Sequence, residues 1–119
     1  MRKSILAGAL ALALSTGLSG CASLITGGEL VRPGEPTGVI RIENHSSVAI
    51  NAVLISDCSA STYGLNRLPS GYMIPRGGAY DFTVSTGCWD AAVGRTGYGE
   101  TRDRFTVSPG RVYRFGVTG

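Results

Sequence analysis

Three observations in this sequence predict an all-β fold, a small antiparallel β-sandwich of six to seven strands. Beyond residue 38, apolar residues recur with a period of two in short runs. Examples are Tyr80, Phe82 and Val84 against Asp81, Thr83 and Ser85, and Tyr113, Phe115 and Val117 near the C-terminus. That alternation is the pattern of a strand with one buried and one wet face. Clusters of Gly, Pro, Asn and Ser end these runs about every 8 to 12 residues, as in sandwiches and barrels. After residue 20 no stretch places apolar residues at helical spacing.

The first twenty residues are of another kind. Arg2 and Lys3 precede the apolar run Ile5 to Leu14, which is followed by Ser15, Thr16 and Gly17 and then by Leu18-Ser19-Gly20-Cys21. Charged, apolar, then small is the layout of a secretory signal. At about ten residues the apolar run falls short of the roughly 20 that span a bilayer. It also lacks the alternation of faces that a buried helix would show. Leu, two small residues and Cys resemble the lipobox of bacterial lipoproteins. The resemblance implies that a peptidase removes residues 1–20, small Ser19 and Gly20 letting an extended backbone enter it. It further implies that the Cys21 thiol carries a diacylglyceryl group, which attaches the chain to a membrane of the cell envelope. Ala22 is compatible with sorting to the outer membrane, facing the periplasm, since Asp at that position is the enterobacterial signal for inner-membrane retention.

Removing residues 1–20 of 119 leaves 99, enough for one small domain with a single core. That part holds nine Arg, no Lys and eight Asp plus Glu, a net charge of +1 against +3 for the whole chain. The basic pI thus belongs largely to the leader and gives no ground for a nucleic-acid partner. With Cys21 lipidated, Cys58 and Cys88 remain as a pair in an oxidising compartment, where a disulfide is expected. Closing a loop of about 30 residues stabilises by roughly 3 to 4 kcal/mol. A metal centre would need ligand spacings that two Cys and a distant His45 do not provide, so neither metal nor cofactor is expected.

Taken in order, residues 21–37 read as a lipidated flexible tether, broken by Gly27, Gly28, Pro33, Gly34 and Pro36. Fully stretched, it would hold the domain up to about 50 Å from a membrane. The sandwich domain is assigned to 38–119. Val39 to Glu43 alternates as a first strand, and Asn44 to Ser47 is a turn. Val48 to Ser56 is a β-rich run whose apolar positions change phase between Ala52 and Val53, which predicts a central strand, buried on both faces near its end or bulged near Asn51 to Val53. Ser59 to Gly71 is a loop and Tyr72 to Ile74 a short strand. After the turn Pro75 to Gly78 come strands at Tyr80 to Ser85 and Cys88 to Val93. Gly94 to Asp103 reads as a long, Gly-rich, charged loop. Two further strands follow, from Phe105 and from Tyr113, separated by the turn Ser108 to Arg111, and the first and last strands are expected to neighbour each other.

The candidate sites are few. His45, Ser46, Ser47 and Asp57 contain the letters of a hydrolase triad, but no nucleophile elbow accompanies them, so no catalytic residue is assigned. The glycines from Gly94 to Gly99 match neither a phosphate loop nor a dinucleotide fingerprint. The loop that holds them carries Tyr98, able to stack, and Arg95, Arg102 and Arg104, able to pair with an acidic or sugar-bearing partner. These four are the candidate partner-binding residues, the alternative being an ordinary long hairpin. Trp89 beside Cys88 reads as core, although alternation places the two on opposite faces. Tyr63, Asn66 and Arg67 are placed near the Cys88 end.

Asn44-x-Ser46, Ile55-Ser56-x-Cys58, Gly64-x-Asn66-x-Leu68 and Phe82-x-Val84-x-x-Gly87-Cys88-x-Asp90 together resemble small, mostly uncharacterised bacterial lipoprotein sandwiches, a resemblance that implies a fold and no activity. Pro75-Arg76-Gly77 stands where the usual pattern has Pro-Gly. The expected function is that of a non-catalytic, membrane-anchored envelope lipoprotein that binds or scaffolds another envelope protein. The alternative is a glycan or small-ligand binder, including an inhibitor of a cell-wall lytic enzyme.

Overall fold

The computed structural model describes residues 28–119. The leader 1–20, Cys21 and the tether up to residue 27 lie outside the described residues. The described chain is all-β: β1 Thr37–His45, β2 Ala52–Asp57, β3 Ala79–Ser85, β4 Gly87–Arg95, β5 Gly99–Val107 and β6 Val112–Thr118. They form two three-stranded sheets, ordered β3-β1-β6 and β2-β4-β5. Ile40, Ile42, Phe82, Val84, Phe115 and Val117 of the first sheet face Val53, Ile55, Trp89, Ala91, Val93, Phe105 and Val107 of the second. The period-two pattern explains this directly, since successive side chains of a strand point to opposite faces.

The sheets are not purely antiparallel. β1 pairs antiparallel with β3 but parallel with β6, with Ile42 opposite Phe115. β6 leaves the β5–β6 turn at the end where β1 begins, so the two strands must run the same way. Gly38 makes that crossing possible. A Cβ there would lie 2.5 Å from Val107 Cγ1 and 2.7 Å from the Ser108 carbonyl, closer than packing allows.

The two ends of the sandwich differ. At one end lie the start of β1, the ends of β2 and β3, the start of β4 and the β5–β6 turn. Cys58 and Cys88 form the expected disulfide there, with Cα atoms 5.5 Å apart. Trp89 is wholly buried, as expected for a core residue, and its Nε1–H donates to the Ser85 carbonyl at 2.8 Å. At the other end lie the β1–β2 connection, the β4–β5 hairpin turn and the end of β6.

Asn44 secures this hairpin end. Fully buried, it donates through Nδ2 to the carbonyls of Val48 at 2.9 Å and Ile74 at 3.0 Å. Its Oδ1 accepts from the Ser46 amide and hydroxyl. One side chain thus ties together the β1–β2 connection and the returning loop, sharing the Val48 carbonyl with the Ser46 hydroxyl and the Ile74 carbonyl with the Ile50 amide.

Four local expectations are corrected. Tyr72 to Ile74 is no strand: Ile74 makes a single bridge to Ile50. The phase change marks a break at Asn51, where the chain leaves Ile74 and joins the second sheet as β2. β2 is an edge strand and not a central one, and its open edge is covered by the following loop, through a Leu54–Asn66 bridge and the Arg67 amide donating to Val53 O at 2.7 Å. Gly94 to Asp103 is no long loop: Arg95 pairs with Gly99 across a three-residue turn, and β5 runs on from there.

The fourth correction concerns the tether. From Gly28 onward it is fastened to the sandwich. The Ser85 amide donates to Leu30 O at 2.7 Å and the Thr86 amide to Pro36 O at 3.0 Å. The Arg32 amide donates to Ser85 Oγ at 2.7 Å, and Arg67 Nη2 to Gly28 O at 2.7 Å. Leu30 packs against the core.

Two outcomes test these assignments. Asn44→Ala is expected to cost about 2 to 4 kcal/mol in urea denaturation, because it removes four hydrogen bonds of a buried side chain, while Ser47→Ala on the exposed neighbouring position stays within about 0.5 kcal/mol. Reduction of Cys58–Cys88 is expected to lower the unfolding free energy by about 3 to 4 kcal/mol, read from the same curves with and without reductant.

Candidate functional site

Five of the nine arginines in the described chain are held by carboxylates. Arg41 bonds Asp81 at 2.8 Å, Arg114 bonds Glu43 at 2.7 Å, and Arg32 reaches both Glu35 at 2.8 Å and Asp57 at 3.3 Å. Arg102 bonds Glu100 at 2.6 Å and Arg104 bonds Asp90 at 2.8 Å. The register explains the last two. Asp90 of β4 lies directly opposite Arg104 of β5, and Glu100 and Arg102 sit two apart on one face of β5.

The four candidate binding residues therefore separate into two pairs. Arg102 and Arg104 lie on the outer face of the second sheet, where Arg102 also stacks over Tyr63 at 5.0 Å and Arg104 reaches the Cys58 carbonyl. Arg95 and Tyr98 flank the hairpin turn, the guanidinium 5.5 Å from the ring centroid, within cation–π range. Among the described residues Arg95 has no carboxylate partner. Its Nη1 donates to Ala49 O at 3.4 Å and contacts Met73 Sδ at 3.7 Å. Tyr98 is 72% exposed and Met73 45%. An Arg, a Tyr and a Met side by side on a protruding end are residue types enriched at protein interfaces.

The hairpin tip is pinned by Asn51, which composition alone did not single out. Its Oδ1 accepts from the Thr96 amide at 3.0 Å, and its own amide donates to Gly94 O at 3.2 Å. At Gly94 a Cβ would clash with the Gly99 carbonyl and lie 2.8 Å from Glu100 Cα, so only glycine lets β5 fold this closely. Met73 escaped sequence reading because it is brought in by the Ile50–Ile74 bridge, a contact with no local signature.

A groove lies on each side of the tip. One, of about 320 Å³, opens on the outer face of the second sheet over Ala52, Ala92 and Gly94, bounded by Arg95 and Glu100. The other, of about 310 Å³, opens between the sheets, with Ile50, Val93 and Val117 below and Arg95 and Tyr98 at its rim. Both sit at the small end of the range for ligand clefts.

The triad letters are not brought together. His45 ends β1 at the hairpin end and contacts Glu43 Oε1 at 3.2 Å, and the Ser46 hydroxyl is bound to Asn44 and Val48. Asp57 ends β2 at the disulfide end, accepting from the Ser59 amide and hydroxyl. Among the described residues no group of three His, Cys, Asp or Glu is placed to hold a metal ion. No protein-family model matches the chain, and no curated protein matches it. Fold and site define a disulfide-bonded all-β sandwich with its N-terminal segment fastened at one end and an exposed hairpin tip at the other.

Four carboxylates lie below their ordinary range. The Ser59 backbone N–H and hydroxyl, then Arg32, lower Asp57, and bonds from Arg41, Arg104 and Arg114 lower Asp81, Asp90 and Glu43. Folded values below the unfolded ones give stability that is complete above the usual carboxylate range near pH 4 and lost as pH falls through the folded values. The urea midpoint is expected to be lower at about pH 3 than at about pH 6, with a smaller drop in Asp90→Asn.

Proposed function

We propose that this protein is a lipid-anchored lipoprotein of the bacterial envelope which acts without catalysis, by binding another envelope protein through the hairpin tip. Leu18-Ser19-Gly20-Cys21 supports the anchor, and Ala22 supports the outer membrane, facing the periplasm. The observation that carries the binding reading is the tip itself: a Tyr98 ring 72% exposed beside Arg95, the one member of the predicted arginine trio without a carboxylate partner. Arg102 and Arg104 already have carboxylate partners for their charges, so a partner gains less by approaching them than by approaching Arg95. Arg95 and Tyr98 present an unmatched cation and a rigid aromatic surface, with Met73 extending the apolar area.

The test is affinity capture of the full-length protein from crosslinked envelopes. Wild type and Arg102→Ala are expected to enrich the same envelope protein, and the Arg95→Ala/Tyr98→Ala double variant, shown by circular dichroism to fold, is expected to lose it. Retention by the double variant contradicts the tip as the binding site. Enrichment of no protein by any form contradicts partner binding and directs attention to a glycan or small ligand in the groove beside Arg95 and Glu100.

A further inference from the structure

The way residues 28–36 are bound determines which end of the sandwich a membrane anchor would hold. The contacts of residues 30–36 with the sandwich fall at the disulfide end, and Gly28 is held further along the edge of β2, by the Arg67 guanidinium that also donates to Ile55 O. Leu30 and Arg32 bond Ser85 at the end of β3, Pro36 bonds Thr86 in the β3–β4 turn, and Gly28 bonds Arg67. The Arg32 guanidinium lies 3.3 Å from Asp57 Oδ2 at the end of β2 and 5.4 Å from the Trp89 ring centroid at the start of β4. These contacts come from the main chain and from side chains on four separate elements, so the segment is a built part of the domain.

The geometry points to an end-on orientation: the disulfide end is held next to the membrane and the Arg95–Tyr98 tip faces away from it. This rests on the lipoprotein reading of Cys21. With residues from Gly28 fastened, seven steps of chain separate Cys21 from the domain, at most about 25 Å in place of the 50 Å of a fully free tether. β4 runs from the Cys88 end to Arg95 over nine residues, about 30 Å. The tip therefore stands about 30 to 55 Å above the attachment point. The partner it fits is a protein that offers its contact surface at that height, and not one lying flat on the bilayer. Arg32 is paired with Glu35 and Asp57, and vesicles of zwitterionic lipid read the orientation set by the clasp without attraction to acidic headgroups.

The experiment uses the full-length protein, lipidated in its host and reconstituted into phosphatidylcholine vesicles that carry a headgroup quencher. A fluorophore is placed at Ser108→Cys, in the β5–β6 turn of the disulfide end, or at Ser47→Cys, at the hairpin end. Mass spectrometry of the same samples reads the state of Cys21. Lipidated Cys21 with quenching several-fold stronger at position 108 than at 47 is the expected result, and Arg32→Ala with Leu30→Ser is expected to shrink that difference. Lipidated Cys21 with equal quenching at both positions overturns the orientation alone. An unmodified Cys21 overturns the lipoprotein reading and the orientation with it.

Discussion

Ser85 joins the three parts of this molecule. It is fully buried, and each of its polar groups is used by a different residue. Its amide donates to Leu30 O, its hydroxyl accepts from the Arg32 amide, and its carbonyl accepts the Trp89 indole N–H. Two of these bonds hold the N-terminal segment against the edge of the first sheet, and the third crosses to the second. A buried polar group without a partner costs about 1 to 3 kcal/mol. Removing the N-terminal segment would therefore expose the end of β3 and strand part of this set. The disulfide from Cys88 to Cys58 stands beside it, one residue from Trp89, so covalent and hydrogen-bonded closures of the same end reinforce each other.

The other end is closed by different means and left available. Asn44 matches the carbonyls that the irregular connections turn inward, and Asn51 fixes the hairpin turn by backbone bonds. Neither covers the tip. β5 then carries alternating charge along an unpaired edge, Glu100, Arg102, Asp103 and Arg104, which discourages edge-to-edge pairing with other chains. Since Asp90 and Glu100 neutralise Arg104 and Arg102, Arg95 is left as the arginine of the second sheet without a carboxylate partner among the described residues, and it stands beside Tyr98. The division between a fastened end and a presented end gives the domain a direction, which the binding proposal uses.

Much of this was legible in the sequence, and what was not has physical reasons. The two sheets, the disulfide and buried Trp89 were legible through alternation and cysteine arithmetic; the first and last strands are neighbours as expected, but their parallel pairing had no local signal. The upper half of β5 gave no alternation because both of its faces are exposed from Gly99 to Arg104. It is a strand only through its ladder with β4, which composition does not encode. Ser85 occupied the wet parity of its strand and is buried all the same, because the N-terminal segment covers it. That segment read as a free tether because Gly and Pro set its backbone and its few fastening residues lack any period. The Tyr98–Arg95 pair was found through residue type, but its separation from Arg102 and Arg104 required the register of β4 against β5.

The most direct measurement is native-state amide hydrogen exchange of residues 28–119 within the full-length protein. If the N-terminal segment is a fastened part of the sandwich, the amides of Arg32, Ser85 and Thr86 exchange slowly and together, with protection approaching that of the β1–β3 ladder. Rapid exchange at Arg32 with Ser85 and Thr86 equally unprotected would show a loose tether beside an open sheet edge, and would contradict the directed, end-on domain described above.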